Sequence, residues 1–192
     1  GEEQLVIQVH RRILGVDPAR GRVLWSLPFV TPCDQNIVTP LQAAGLIVVS
    51  SLDKGTLGIR VSRVGESWVP EIAWEAREVS MYMSSPVFVK GKVLGLSHKK
   101  RGQFFALDPA TGAVAWKGEG GQGENAALVV AQGVVLALQG DGTLLVLPQE
   151  GPSFSPQKSY RIAESPTFAH PVPTELGILV KDEAGLSLYG WG

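Results

Sequence analysis

The side chains with most to offer chemically gather in short stretches just ahead of apolar runs. Asp34-Gln35-Asn36, Met81-Tyr82-Met83, Gly123-Glu124-Asn125 and Phe168-Ala169-His170 mix carboxylate, amide, imidazole and aromatic groups. That mixture suits a binding site, and polar groups so placed also serve to tie neighbouring segments together. The densest charge run is His98-Lys99-Lys100-Arg101. It reads as a solvated loop or as a cationic rim for an anionic partner, with Lys54 and Lys181 in comparable loops.

Covalent and metal chemistry find little support. Gly118-Glu119-Gly120-Gly121-Gln122-Gly123 satisfies a dinucleotide fingerprint as a string, with Asp141 18 residues beyond its end. The fingerprint must open a helix that holds pyrophosphate, and here a strand-like run, Ala126 to Ala131, follows. His10, His98 and His170 lack zinc spacing, so no metal site is expected. No serine sits in a nucleophile-elbow motif or beside a base, so no catalytic residue is assigned. Cys33 is the single cysteine; it excludes an intrachain disulfide and reads as a small half-buried residue.

The bulk properties narrow the classes. The 192 residues carry 17 Lys+Arg against 18 Asp+Glu, a net charge of −1, whereas a nucleic-acid-binding domain is normally basic. Hydrophobic content of 44% is enough to build a core. No apolar run is long enough to cross a membrane. The opening Gly1-Glu2-Glu3-Gln4 has neither the basic nor the apolar region of a signal peptide and leads straight into a strand-like run. The chain thus reads as a trimmed piece of a longer one.

Internal repetition fixes how these residues are positioned. Val16-Asp17-Pro18-Ala19-Arg20-Gly21-Arg22-Val23-Leu24-Trp25 returns as Leu107-Asp108-Pro109-Ala110-Thr111-Gly112-Ala113-Val114-Ala115-Trp116, 91 residues later. Trp74 lies between the two tryptophans, and Tyr160 follows Trp116 by 44 residues as the expected fourth aromatic anchor. A second landmark, a turn glycine between two apolar runs, falls at Gly45, Gly91, Gly133 and Gly177, spaced 46, 42 and 44. A third, before the next strand, falls at Gly55, Gly102, Gly142 and Gly185.

Each unit reads as four short antiparallel strands joined by tight turns, with the aromatic anchor on the last. In the Asp-Pro-Ala-x-Gly turn, Gly21 and Gly112 occupy the left-handed position that a short hairpin loop requires. Four strands per 40–50 residues make a β-propeller blade. No stretch sustains helical periodicity, so helix content should be close to nil. The units fall at about 1–30, 31–78, 79–120, 121–164 and 165–192, forming a single partial propeller domain. The first begins at a second strand and the last runs out after a third, leaving about four blades' worth. In such a ring the first strands line the central channel. The polar entrances above therefore crowd one channel mouth, formed by Asp34, Gln35, Asn36, Met81, Tyr82, Glu124, Asn125 and His170.

Leu107-Asp108-x-x-Thr111-Gly112-x-x-x-Trp116 resembles the tryptophan-docking repeat of quinoprotein-like propellers, the pyrroloquinoline-quinone-like repeat. Ser84-Ser85-Pro86, Gly123-Glu124-Asn125-Ala126-Ala127 and Leu186-Ser187-Leu188 are most similar to bacterial repeat proteins resembling the outer-membrane barrel-assembly lipoprotein, an exported scaffold. The resemblance implies an all-β propeller of seven or eight blades, of which this chain would be a C-terminal half; a divergent smaller ring is the alternative. Trp25, Trp74, Trp116 and Tyr160 would then dock between blades near turn glycines. It further implies a periplasmic or extracytoplasmic scaffold binding another protein or a small ligand, paired with a missing N-terminal half or a second copy. No cofactor is expected on this reading.

Two alternatives remain. One is a quinoprotein-like oxidoreductase using pyrroloquinoline quinone with calcium. Against it, a vicinal cysteine pair is impossible here, and Glu124, Asn125 and Asp34 are isolated candidate oxygen ligands. The other is the sensor ectodomain of a signalling protein.

Overall fold

The protein, described here by a computed structural model, is defined over residues 2–191. The side chain of Cys33, and with it the half-buried reading, lies outside the described residues. The chain folds into five antiparallel sheets, each a meander of consecutive strands. The first sheet contains β1 (Leu5–Val9), β2 (Arg12–Val16) and β3 (Val23–Pro28). The second contains β4 (Leu41–Ala43), β5 (Leu46–Ser51), β6 (Gly55–Val64) and β7 (Ser67–Ala76). The third contains β8 (Val87–Val89), β9 (Lys92–Ser97), β10 (Gln103–Leu107) and β11 (Val114–Lys117). The fourth contains β12 (Ala126–Ala131), β13 (Val134–Gln139), β14 (Thr143–Pro148) and β15 (Lys158–Arg161). The fifth contains β16 (Val172–Thr174), β17 (Gly177–Lys181) and β18 (Leu186–Gly190).

The short first strands β4, β8 and β12 lie side by side, as they do around the axis of a propeller. Apolar clusters fill the space between successive sheets. Val48, Val79, Met81, Phe105 and Leu107 seal the second against the third. Leu96, Phe104, Val135 and Leu145 seal the third against the fourth. This is an all-β, partial β-propeller. Among the described residues, helix is limited to two short 3-10 turns, and no helix is long and apolar enough to cross a membrane.

The repeated turns are built alike. The Asp17 carbonyl accepts from Gly21 N–H and its carboxylate from Ala19 N–H; Asp108 does the same with Gly112 and Ala110. Gly21 and Gly112 sit at φ of 67° and 75°, where a side chain would be strained. A β-bulge follows in each of the first three sheets, just before the tryptophan, so that Trp25 faces Gly15, Trp74 faces Gly58 and Trp116 faces Ala106. Opposite Trp25 and Trp74 the cross-strand glycine is required, because a Cβ there would lie within 2.2 Å of the indole.

Several expectations need correction. The tryptophans are not among them: Trp25 is 4% exposed, and Trp74 and Trp116 are partly buried against the clusters between sheets. Tyr160 faces Leu144 without a bulge and is 49% exposed; the residue at the tryptophan's register is Lys158, opposite Val146. Phe154, from the loop before β15, instead stacks on Phe104 at 4.9 Å and tilts against Trp116. Gly177 opens β17, and the turn falls at Glu175-Leu176. The hairpin of β6 and β7 runs ten residues per strand, far beyond the ends of β5. Near its tip, Arg63 lies over the Trp68 ring and the Trp68 indole donates to Glu2.

Candidate functional site

The residues expected at one channel mouth divide into separate sets. Asp34 is at the end of a 3-10 turn, at φ 53°, and receives the Arg11 guanidinium at 2.9–3.1 Å and the His10 ring at 3.1 Å. Arg11, through its hydrogen bond, and His10 hold this carboxyl below the ordinary carboxylate range. Asn36 is engaged by the protein through both ends of its amide. Its Nδ2 reaches the carbonyls of Val9 (2.9 Å), His10 (3.0 Å) and Phe29 (3.1 Å), and its Oδ1 accepts from the Thr31 hydroxyl. Gln35 accepts from the Tyr82 hydroxyl at 2.7 Å, and its carbonyl accepts from Ser51. This segment latches the first sheet to the second and third.

Met81 is fully buried between the second and third sheets, in contact range of Gly95 and Phe105, and does not reach the mouth. Its backbone N–H is received by Ser50, one of a buried hydroxyl set. Thr56 donates to the Val79 carbonyl and Ser80 to the Ser51 carbonyl, while Ser97 receives the Ser80 N–H. These contacts join the two sheets near the channel with their polar groups satisfied.

Asn125 and His170 do come together. With Ile37, Met83, Ser85, Thr167 and Phe168 they line a cleft of about 130 Å³ beside the first strands. Ser85 is engaged by the Thr39 N–H, and Thr167 donates to the Gln139 carbonyl. Asn125 Oδ1 is buried with no hydrogen-bond partner. Ile37, Met83 and Phe168 are exposed. The cleft therefore combines three uncovered apolar side chains with an unused amide and an imidazole, and its lining holds no carboxylate, lysine or arginine. Glu124 lies apart, in a neighbouring hollow with Gln122, Gln139 and Asp141, and Phe168 divides the two.

The cationic loop is less free than its composition suggests. His98 Nε2 stands 3.1 Å from Asp53, and Lys99 donates to the Arg77 carbonyl. The carbonyls of Lys100, Arg101 and Gly102 accept from Gly121, Gly123 and Gln122. The glycine-rich string 118–123 is thus a strap over this loop. A side chain at Gly102 would strike the Gly123 carbonyl, with its Cβ at 1.9 Å. Only the Lys100 and Arg101 side chains project into solvent.

A family profile described as outer membrane protein assembly factor BamB matches residues 1–118. The chain belongs to the BamB family. Its propeller is similar to the crystal structure of BamB from Moraxella catarrhalis, at 12% identity and a TM-score of 0.51 over 97% of this chain and 68% of that one. It is also similar to the quinohemoprotein alcohol dehydrogenase of Comamonas testosteroni, at 11% identity and TM-score 0.68, over 95% of this chain and 39% of that one. The dehydrogenase ADHIIG from Pseudomonas putida HK5 matches at 14% identity and TM-score 0.62, over 99% and 41%. This BamB-family chain thus spans about two-fifths of the dehydrogenases' length, and at these identities the likeness is one of fold. Curated proteins give no match.

Two of the repeated tryptophans have defined polar partners. The Trp74 indole N–H donates to the Pro109 carbonyl at 2.9 Å, and its ring lies on Gly112, in the turn of the following sheet. The Trp25 N–H turns to Gln4 Oε1 at 2.7 Å, since the second sheet has the long β6–β7 hairpin in place of that turn. Among the described residues no three His, Cys, Asp or Glu side chains stand together, and Asp34 is already bound by Arg11 and His10.

Proposed function

We propose that this chain is a non-catalytic interaction module of an exported bacterial scaffold, holding a neutral peptide segment of another protein at the Asn125–His170 cleft. One observation carries the reading: a buried amide oxygen without a partner, beside a cleft lined by no carboxylate, lysine or arginine and flanked by the exposed Ile37, Met83 and Phe168. An unmet acceptor in such a place costs stability unless a ligand donor supplies the bond. About 130 Å³ suits one apolar side chain better than a cofactor. An extended peptide supplies both: a side chain for the apolar walls and, once the Asn125 amide turns toward the cleft, a backbone N–H for its Oδ1, which is buried in the free chain. Lys100 and Arg101 would add long-range attraction for acidic flanking residues, weakened by salt. A periplasmic location is proposed with the function, on family membership.

The competing enzyme reading is tested directly. Pyrroloquinoline quinone and calcium are added to the chain, followed by gel filtration and an assay of dye-linked oxidation of a primary alcohol. The proposal expects no quinone absorbance in the protein peak and no turnover. Stoichiometric retained absorbance with turnover would overturn it.

A further inference from the structure

We infer that Met83 is a reversible oxidation site, and that its conversion to the sulfoxide weakens the hold of the Asn125–His170 cleft on an apolar side chain. The inference rests on the peptide reading of that cleft and adds its regulation.

The segment leading into β8 presents one thioether to solvent and fixes it there. Met81 has no exposed surface, and its N–H is received by the Ser50 hydroxyl. The Tyr82 hydroxyl donates to Gln35 at 2.7 Å. Ser84 is 3% exposed and accepts from the Ala126 N–H at 2.9 Å, across to the first strand of the fourth sheet. The neighbours of Met83 on both sides are thus tied down, while Met83 itself is 47% exposed on the cleft wall. This segment joins the second sheet to the third, and both of those are packed on a sheet of this chain on either side. Met83 therefore owes its exposure to the cleft and not to an uncovered sheet face.

A thioether sulfur is a soft nucleophile, and a hydroperoxide is the co-reactant that suits it. The sulfur attacks the terminal peroxide oxygen. The S–O bond forms as the O–O bond breaks, and sulfur gives up two electrons. The proton on the transferred oxygen passes to the departing one, which leaves as water or an alcohol. The product is a polar, chiral group with an acceptor oxygen where a flexible apolar one stood. No lysine or arginine lines the cleft to pair with that oxygen, and Asn125 Oδ1 beside it is already an acceptor without a partner. An apolar side chain entering the oxidised cleft strips water from the sulfoxide and returns no bond. Met81, sealed in the core with Phe105 and Leu107, is shielded in the folded chain, so the change is confined to the cleft.

The test treats the 192-residue chain with hydrogen peroxide under native conditions and follows each methionine by fragment mass spectrometry. Met83 should gain one oxygen about tenfold faster than Met81, in line with their exposures. Binding of N-acetylated, C-amidated Ala-Leu-Ala is measured before oxidation, after it, and after repair by methionine sulfoxide reductases A and B with dithiothreitol. Affinity should fall roughly tenfold on oxidation, the effect of desolvating one polar group without replacing its bonds. It should return with the reductases and not with dithiothreitol alone, which separates Met83 from thiol oxidation at Cys33. Equal oxidation of the two methionines, an affinity that oxidation leaves unchanged, or a loss that the reductases fail to reverse would each overturn the inference while the peptide reading stands. No binding by the reduced chain would overturn that reading, and this inference with it.

Discussion

Trp74 and Pro109 belong to different sheets and are joined by an indole N–H to carbonyl hydrogen bond of 2.9 Å, with Gly112 beneath the ring. The turn glycine, needed for its own φ of 75°, also leaves the space in which the indole sits; a Cβ at Gly112 would lie 2.5 Å from the ring. Gly112→Ala should therefore suffer twice, through backbone strain and collision, and cost about 1–3 kcal/mol. Trp74→Phe keeps an aromatic ring and removes the donor, at about 1 kcal/mol. Urea melts of both variants check the pair, and a neutral Gly112→Ala would contradict it.

Two asparagines at equivalent entrances should behave oppositely. Asn36→Ala leaves the Val9, His10 and Phe29 carbonyls without their shared donor and should cost about 2 kcal/mol. Asn125→Ala removes an amide oxygen that bonds to nothing in the protein and should stay within about 0.5 kcal/mol of the parent. Thermal denaturation of both reads the difference; equal losses would mean that Asn125 is a structural latch as well.

Acid should weaken the sheet-to-turn contacts in a defined sense. The Lys92 ammonium, with the Ala110 N–H, holds the Asp108 carboxyl below its ordinary range. A group whose folded pKa is depressed contributes stability that is complete above the unfolded value, about 4, and is lost as pH falls through the folded one. Asp34, held down by Arg11, adds to the same dependence. The melting temperature should fall on going from pH 5 towards pH 2, and Asp108→Asn should flatten part of that slope. An unchanged slope would show that the pair contributes nothing.

The fold was legible because its punctuation is chemical. Asp17-Pro18 and Asp108-Pro109 start turns that only Gly21 and Gly112 can close, and the tryptophans follow at a fixed distance. Tyr160 misled because an aromatic at the right spacing is not the motif. The motif is a bulge with a small residue across the strand, and Leu144 is not small. Gly177 misled in the same way, as a glycine one step out of register. The long β6–β7 hairpin escaped notice because its Gly65-Glu66 turn resembles the ordinary ones.

The candidate cleft was partly legible. That Asn125 and His170 would lie near one another followed because polar residues ahead of first strands must approach the axis. Ile37, Met83 and Phe168 were passed over because an apolar residue in sequence reads as core, and only exposure distinguishes it. The role of Asn36 could not be read, because its partners at positions 9, 10 and 29 meet it only after the first sheet has closed.

The cleft itself offers the most direct measurement. The chain has two methionines, Met83 in the cleft and Met81 in the core, so methyl-labelled methionine gives one reporter and one internal control. The chain is titrated with N-acetylated, C-amidated Ala-Leu-Ala, and separately with acetate, while the two methyl signals are followed. The account predicts a saturable shift of Met83 alone with the peptide and none with acetate. The response should be lost in Asn125→Leu and kept in Asn125→Asp, which retains the acceptor oxygen. A Met83 signal that stays still, or that moves equally in Asn125→Leu, would contradict the claim that this cleft receives a peptide.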